Sequence, residues 1–576
     1  MLTGVKLASF DFTGFDVTKI TNISKFFDDV QGLSDVEFGS MFYLDAVKNS
    51  SYMFNECSDI TSIDLSNKEF VKVTMANMFS GCPNLNQVDL SGCTFENNNV
   101  SNMFSSSPNL TLVDLSGSTF KSGSLTNMFS NNSSLTMVNL SGCSFDNNTM
   151  SYLFQGSTNL TQIDLSGSSL NNVSMSHMFD GCSNLTGSNL NLTGCSLNNI
   201  KNLECAFKDC SSLESITIEN LSMLSTATNI SKNMFEGCTS LTTINLPGWQ
   251  ITNRYNLQQI IESAPAVEKI DVSNWDVSNI AMGNNAFTYM KNKSTLREVN
   301  MSNWDFKDST TMQNAFNGCS NLTSLNLSNA KVSAVTNLEG TFYGCSGLTS
   351  LDVTNWELKE NGSVSMIDTF NSCKSMEEID LSSWSNTSSI SSLQRTFQDC
   401  IKMTTVNLSG WDLSGVTNMN RTFKSNNKLT SIVVGANDSW NLVNCTNMQT
   451  TFEDCWALDQ DLAFIKATAV TNIMYTFKNC KAITSLDLSG WDTSHVVNDV
   501  NQTFEGCANL HTIYASDSFT LSSTGATIFN GCSNLEGGML TIPSDMPSSD
   551  RYKSKYACID GKDGKPGYFT DIANKP

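Results

Sequence analysis

Histidine is almost missing from this chain of 576 residues. There are three, at 177, 495 and 511. They lie far apart, and no H-E-x-x-H, G-x-S-x-G, phosphate-cradling glycine loop or C-x-x-C pair accompanies them. Acidic residues are plentiful, but none is singled out as half of a catalytic pair. An active site needs a base, a nucleophile or electrophile and their partners within reach, so the sequence reads as non-enzymatic. Basic residues are also few: 33 Lys and Arg against 55 Asp and Glu, a net charge of −22. That excludes a phosphate-neutralising surface for nucleic acid and favours repulsion from anionic membranes. No run of about 18 apolar residues exists, which excludes a membrane-spanning helix. Met1 to Leu7 lacks a basic stretch followed by an apolar one, so no signal peptide is recognised.

What is missing among the cysteines is pairing. Nineteen are present, and thirteen occupy one slot, three residues after a phenylalanine: 57, 82, 182, 210, 238, 319, 345, 373, 400, 455, 480, 507 and 532. A disulfide framework shows paired spacings. One cysteine per repeat, with Ser107 and Ser157 standing in for it, reads as a small buried hydrophobe and a reducing folding compartment. The same column lacks the paired ligands of a zinc site. No cofactor or metal is expected.

What is there is a repeat, F-x-x-C-x-x-L-x-x-I-D/N-L-S. Its phenylalanine recurs at 54, 79, 104, 129, 154, 179, 207, 235, 287, 316, 342, 370, 397, 423, 452, 477, 504 and 529. Degenerate copies sit at Phe26/Phe27 and Ile261. A period of this length means a solenoid whose units bury their faces only by stacking. Within a unit, Val88-Asp89-Leu90 alternates as a short strand, with Asp89 outward. Val416, Met419 and Phe423, spaced three and four apart, predict a turn or two of α or 3-10 helix before the phenylalanine. Four stretches follow: degenerate N-terminal capping repeats at 1–50, regular 25-residue repeats at 51–199, longer Trp-containing repeats at 200–540, and a cap or tail at 541–576. Only Met1 to Leu7 are available to cover the first coil. In the tail Pro543, Pro547, Ser548 and Ser549 mark a loop, and Gly561, Gly564, Pro566 and Gly567 mark tight turns. Arg551, Lys553, Lys555, Lys562, Lys565 and Lys575 there outnumber Asp560, Asp563 and Asp571.

Val416 to Leu429 and Phe477 to Asp492 follow the pattern V-T-N-M-x-x-M-F-x-x-C-x-x-L-x-x-L-D-L-S-x-F/W-D. In this the chain resembles the BspA-type leucine-rich repeats, and specifically their DUF285 variant, over about residues 10 to 540. The resemblance implies an α/β repeat fold, a right-handed leucine-rich-repeat solenoid. It would have about twenty coils of 25–29 residues, each with one short strand and one short helical segment. At about 4.8 Å per coil the array would extend roughly 95 Å. Similar proteins are adhesins, matrix binders and surface antigens of bacteria and protozoa, and some occur in phage genomes. The implied function is non-enzymatic binding of a protein or glycan from a cell or virion surface. A phage fibre, decoration or receptor-binding protein is the alternative, and a cytosolic scaffold the third reading. Surface members usually carry a signal peptide or lipobox, and this chain shows neither.

Two columns are candidates for the binding surface. The first is the outward strand position: Asp89, Asp114, Asp164, Asp271, Asp352, Asp380 and Asp487, with Asp64 and Asn139, Asn189, Asn245, Asn300, Asn326 and Asn407 interspersed. It can offer a polar face, or a ladder of side chains bonded to local backbone. The second is Trp249, Trp275, Trp356, Trp384, Trp411 and Trp491, with Trp304 displaced by an insertion. These replace the small Cys93, Ser118, Cys143 and Ser168 of earlier repeats, fourteen residues after the phenylalanine. Tryptophan there can anchor an interface or fill a corner with its N–H on a carbonyl. The short N-terminal cover predicts a contact site over residues 1 to 30, for a second copy or a larger assembly.

Overall fold

The computed structural model describes residues 2–11, 19–37, 46–224, 231–251, 255–278, 280, 282–436, 438–497, 500–521, 527–536, 557–559 and 567–575. The chain forms two compact units, Met1–Val277 and Ser278–Pro576. Phe38 and most of the basic tail (Arg551, Lys553, Lys555, Asp560, Lys562, Asp563, Lys565), with its loop residues from Pro543 to Ser549 and Gly561, Gly564 and Pro566, lie outside the described residues.

Each unit is a parallel β-solenoid. In the first, the I-D/N-L segments stack as Ser62–Asp64, Gln87–Asp89, Leu112–Asp114, Met137–Asn139, Gln162–Asp164 and Leu190–Asn191. Parallel neighbours are in register, Ile63 with Val88 and Val88 with Val113. A second six-stranded sheet, Glu69–Val71 to Ser196–Asn198, lies on another side of the same coils. A third ladder of single bridges links Asn49, Thr74, Asn99 and Ser124. In the second unit the I-D/N-L strands form shorter runs, such as Glu378–Asp380, Thr405–Asn407 and Ser431–Val433.

The segment before the phenylalanine departs from the expected helix. Val416–Phe423 is an extended stretch, bridged at Asn418 to both neighbouring coils, that passes into turns from Asn420. Thr422 N–H bonds Met419 O at 3.1 Å, while Phe423 N–H bonds Thr451 O of the next coil at 2.9 Å. An α-helix would send each amide back four residues. Here alternate amides leave the coil to tie it to its neighbour, and offsets of three and four arise from an extended stretch followed by turns. Arg421 and Ser425, flanking Phe423, adopt φ of 61° and 63°. Such left-handed residues are costly in isolation, and the inter-coil bonds hold them there. Among the described residues the one α-helix is Asn256–Ser263, which supplies buried Ile261 in the coil that lacks a phenylalanine.

The phenylalanines stack face to face along the core of each unit, with ring centroids 5.1 Å apart for Phe54 and Phe79 and 5.6 Å for Phe477 and Phe504. Each buried ring contributes about 1.5–3 kcal/mol by burial. The thiol column runs beside them. Cys82 Sγ donates to Phe54 O at 3.2 Å and Cys480 Sγ to Phe452 O at 3.1 Å, so each thiol satisfies the preceding coil's phenylalanine carbonyl. The eighteen cysteines from Cys57 to Cys532 are free, and of these all but Cys195 are buried. The end of the second unit is closed by Phe569–Asp571, paired with Thr512–Ala515. Buried Phe569 and Tyr568 pack against Phe519 and Phe529 there.

Candidate functional site

The outward strand column is built from side chains that first serve their own turn. Oδ1 of Asp89 accepts the Ser91 N–H at 2.8 Å. Asp114, Asp164 and Asp271 do the same with Ser116, Ser166 and Ser273 at 2.8, 2.9 and 2.8 Å. Asp352, Asp380 and Asp487 accept from Thr354, Ser382 and Ser489 at 3.0, 2.9 and 3.0 Å. These Asx turns fix each carboxylate against the coil. Adjacent coils bring Asp89 beside Asp114, and Asp114 beside Asn139. The column reads Asp, Asp, Asn, Asp, and the interposed amide spaces the like charges. The Ser66 amide and hydroxyl hold Asp64 below the usual carboxylate range. At Asp380 burial pushes upward, but the Ser382 hydroxyl and amide and Asn407 outweigh it, leaving the carboxyl low.

Two places depart from the expected column. Asn189 is not in it: Asn191 pairs with Asp164 and donates Nδ2 to Asp164 Oδ1 at 2.9 Å. Gly187-Ser188-Asn189 forms a 3-10 turn that shifts the strand by two residues. Asp487 is buried beneath the C-terminal segment, where Lys575 Nζ lies 2.8 Å from its Oδ2 and 3.2 Å from Asp461 Oδ2. Burial alone would raise the Asp487 carboxyl, and Lys575 with Ser489 pulls it below the ordinary value.

The tryptophans face inward. Trp249, Trp275, Trp356, Trp384, Trp411 and Trp491 are all buried. Indole Nε1 donates to the preceding coil at 2.7 to 2.9 Å from Trp249 to Ile218 O, Trp356 to Leu327 O, Trp384 to Val353 O and Trp411 to Leu381 O, whereas Trp491 Nε1 is buried without a partner among the described residues. Trp384 stacks between Trp356 and Trp411, at 5.1 and 5.7 Å. The structure therefore separates the two candidate columns: the carboxylates, Asp487 excepted, are at least partly exposed and the indoles are buried. His177 is tied to Asp180, Nδ1 to Oδ2 at 2.8 Å, and stacks on Tyr152. Among the described residues no three His, Cys, Asp or Glu side chains converge as a metal site.

One feature of the strand face escaped the sequence reading. Leu90, Leu115, Leu140 and Leu165 each bond the next coil through N–H, at 2.7 to 2.9 Å, and Gly92, Gly117, Gly142 and Gly167 do so two residues on. At Leu192 and Gly194 both bonds are missing among the described residues, and they resume at Ile218 and Asn220. Leu190–Asn191 ends one sheet and Ser215–Thr217 begins another. Between them opens a cleft of about 670 Å³. Its only signal in sequence is the step from Phe179 to Phe207, longer than the 25 residues before it.

Stacked parallel coils, with a second strand per coil in the first tract where one was expected, and a column of stacked phenylalanines with a recurring thiol define a leucine-rich-repeat solenoid. The family profile described as Mycoplasma protein of unknown function, DUF285, matches residues 173–298, 201–324, 284–405, 310–434 and 391–519. That described as BspA type leucine rich repeat region (6 copies) matches 6–136 and 48–186. The chain belongs to this DUF285, BspA-type leucine-rich-repeat family. No curated protein matches it. Similar solved structures include a Leptospira interrogans LRR protein, at 12% identity over 63% of this chain and 86% of that one, TM-score 0.30. An internalin from Listeria monocytogenes matches at 15% identity over 52% and 81%, TM-score 0.27. The TLR13–ssRNA13 complex matches at 15% over 90% and 75%, TM-score 0.28. Among the described residues no helix is long and apolar enough to cross a membrane.

Proposed function

We propose that this chain is a non-catalytic binding protein that presents its strand face to a protein or glycan partner, displayed on a cell or virion surface. The observation that carries the reading is the carboxylate column: Asp89, Asp114 and Asp164 each commit Oδ1 to the backbone and stand at strand spacing on a fixed scaffold. A pre-organised row of acceptors loses little entropy on binding and suits a cationic or hydroxyl-rich surface. Trp249, Trp275, Trp356, Trp384, Trp411 and Trp491 are buried and serve as packing in their own coils. Within the second unit Asp352 and Asp380 make the same turns, whereas Asp487 is engaged by Lys575. The regular, Trp-containing and terminal stretches divide the labour between presenting and capping.

The test is binding of the full chain to a panel of matrix proteins and a glycan array, beside the variant Asp89→Asn/Asp114→Asn/Asp164→Asn. Asparagine already fills this slot at 139, so the turns persist. Weakening of a bound partner by the variant is expected; equal binding by both proteins would remove the column from the function. The N-terminal edge is the proposed mounting point. Ser9–Asp11 pairs with Asp35–Glu37 on one side, and Val5 and Ile20 are exposed nearby. Size measurement across protein concentration checks it: a strict monomer at every concentration, with no partner recovered through residues 1–30, would end that part.

A further inference from the structure

We infer that the cleft between Leu190–Asn191 and Ser215–Thr217 is a strand-insertion site for an extended peptide segment of a partner protein. The inference rests on the reading that this chain binds macromolecules, and it names a second site with its own ligand chemistry. One wall offers the N–H groups of Leu192 and Gly194, which have no partner among the described residues. In the preceding coils, from Leu90 to Gly167, their counterparts bond the carbonyls one coil ahead, so the opposite wall presents the carbonyls of Thr217 and Glu219. Donors on one side and acceptors on the other are complemented by a polypeptide backbone, whose two edges carry both groups.

The floor is apolar. In the preceding coils the leucine of this position is buried, as at Leu115, Leu140 and Leu165, and so is the small donor after it, as at Cys143 and Ser168. At the cleft Leu190, Leu192 and Cys195 are half-exposed instead. Behind them Leu192, Leu197 and Ile218 border a small apolar void of about 20 Å³. Glu219 is the one charged residue of the lining, and it is exposed. The matching ligand alternates apolar and polar side chains and carries a lysine or arginine.

Size agrees. An extended residue fills roughly 160 Å³ at normal strand, sheet and residue spacings, so about four residues fit. These two coils stay joined on their other faces: Ser169–Asn171 pairs with Ser196–Asn198, and the Phe179 and Phe207 rings stack at 5.3 Å. The opening is confined to this face and comes from Ser188-Asn189. Without those two residues Leu185-Thr186-Gly187-Leu190-Asn191-Leu192 would repeat the spacing of Leu160-Thr161-Gln162-Ile163-Asp164-Leu165. Gly187 fits the same design, because a side chain there would run into the Ser215 carbonyl.

The probe is a labelled synthetic peptide with the sequence of residues 266–275, which has the alternating strand pattern and one lysine, Lys269. It is titrated against the full chain and against a variant lacking Ser188 and Asn189. Saturable binding to the parent is expected, weakened at least about tenfold by the deletion, because several backbone hydrogen bonds go together. Hydrogen exchange should show Leu192 and Gly194 amides fast in the free parent, slow with peptide bound, and slow in the deletion variant without peptide. No binding to the parent, equal binding to both proteins, or amides already protected in the free parent would overturn the inference. If the Asp89/Asp114/Asp164 variant loses its partner while the peptide fails to bind, the cleft reading falls and the strand-face reading stands.

Discussion

The regular repeats of residues 51–199 and the coils around Trp384 solve one packing problem in two ways. Fourteen residues after the phenylalanine, the first tract places a small donor. Cys93 Sγ bonds Leu65 O at 3.0 Å and Ser118 Oγ bonds Leu90 O at 2.6 Å. Two residues later it places a large ring, and Phe95, Phe120 and Phe145 stack at 4.7 and 5.0 Å. The second tract puts the bulk in the donor itself: Trp384 Nε1 bonds Val353 O, the carbonyl of the corresponding residue. The residue two later is then smaller, as at Leu358 and Leu413, both buried. Corner volume is held while its distribution changes, and the buried carbonyl is bonded in both. Consequences for the backbone follow. Phenylalanine two places on favours an extended segment, and there the first tract pairs a second full sheet. The Trp coils keep only single bridges, such as Glu357 with Ser385.

Alkali should separate regions most strongly. Burial raises Cys319, Cys400 and Cys445 to about 12 from an ordinary 9.0, and Cys373 and Cys480 well above it. A thiol whose folded pKa is raised keeps its proton when the unfolded chain has lost it. Stability is therefore intact below pH 9 and falls as pH rises beyond it, by about 1.4 kcal/mol per pH unit per thiol. From Phe316 to Cys507 every coil carries such a thiol, whereas the coils led by Phe104, Phe129 and Phe154 hold only Cys143. Limited proteolysis between pH 9 and 12 should cut the former region first. Simultaneous cutting would mean that thiol ionisation does not control the loss.

Next in size is Trp384→Ala. It removes a buried ring from a three-indole stack and strands the Val353 carbonyl, for about 3–5 kcal/mol. Coupling runs between neighbouring coils, so hydrogen exchange should rise near Trp356 and Trp411 and stay unchanged at Phe504. Uniform loss across the second unit would contradict nearest-neighbour stacking. The converse exchange, Cys143→Trp, replaces the S–H donor by an indole N–H but adds a ring where Phe120 and Phe145 already fill the corner. Overpacking there should cost about 1–3 kcal/mol in chemical denaturation. A neutral result would show that the two solutions are interchangeable coil by coil.

The repeat period, the strand of each unit, the buried phenylalanine and the one-per-coil cysteine were legible because each is a column at fixed spacing. Helix was read at Val416–Phe423 because an extended stretch and turns with left-handed residues reproduce offsets of three and four. Nothing in Arg421 or Ser425 announces positive φ, since inter-coil bonds impose it. The Asx turns at Asp89 and Asp114 follow from side-chain chemistry, but Asn189 and Asn191 could be distinguished only by pairing. Lys575 on Asp487 joins residues 88 apart, which no local pattern encodes. The cleft arises from bonds that are missing, and a two-residue insertion does not reveal whether a coil bulges or opens.

The smallest effects sharpen the comparison within the carboxylate column. Asp114→Asn keeps the acceptor for Ser116 N–H and loses only a charge beside Asp89 and Asn139, so stability should move by less than about 0.5 kcal/mol. Asp487→Asn makes the same chemical change at a buried site where Lys575 is the partner. It should cost about 1 kcal/mol, discounted because Lys575 is partly exposed. The depressed Asp487 carboxyl adds a signature in pH. Its contribution is present above the ordinary carboxyl value of 3.8 and is lost as pH falls through the lower folded value. Parent and Asp487→Asn should therefore differ at neutral pH and converge in acid. Denaturation midpoints at pH 7 and in acid test both. If the Asp487 gap persists unchanged in acid, the Lys575 pair is not its source, and the buried position rather than the charge sets the cost.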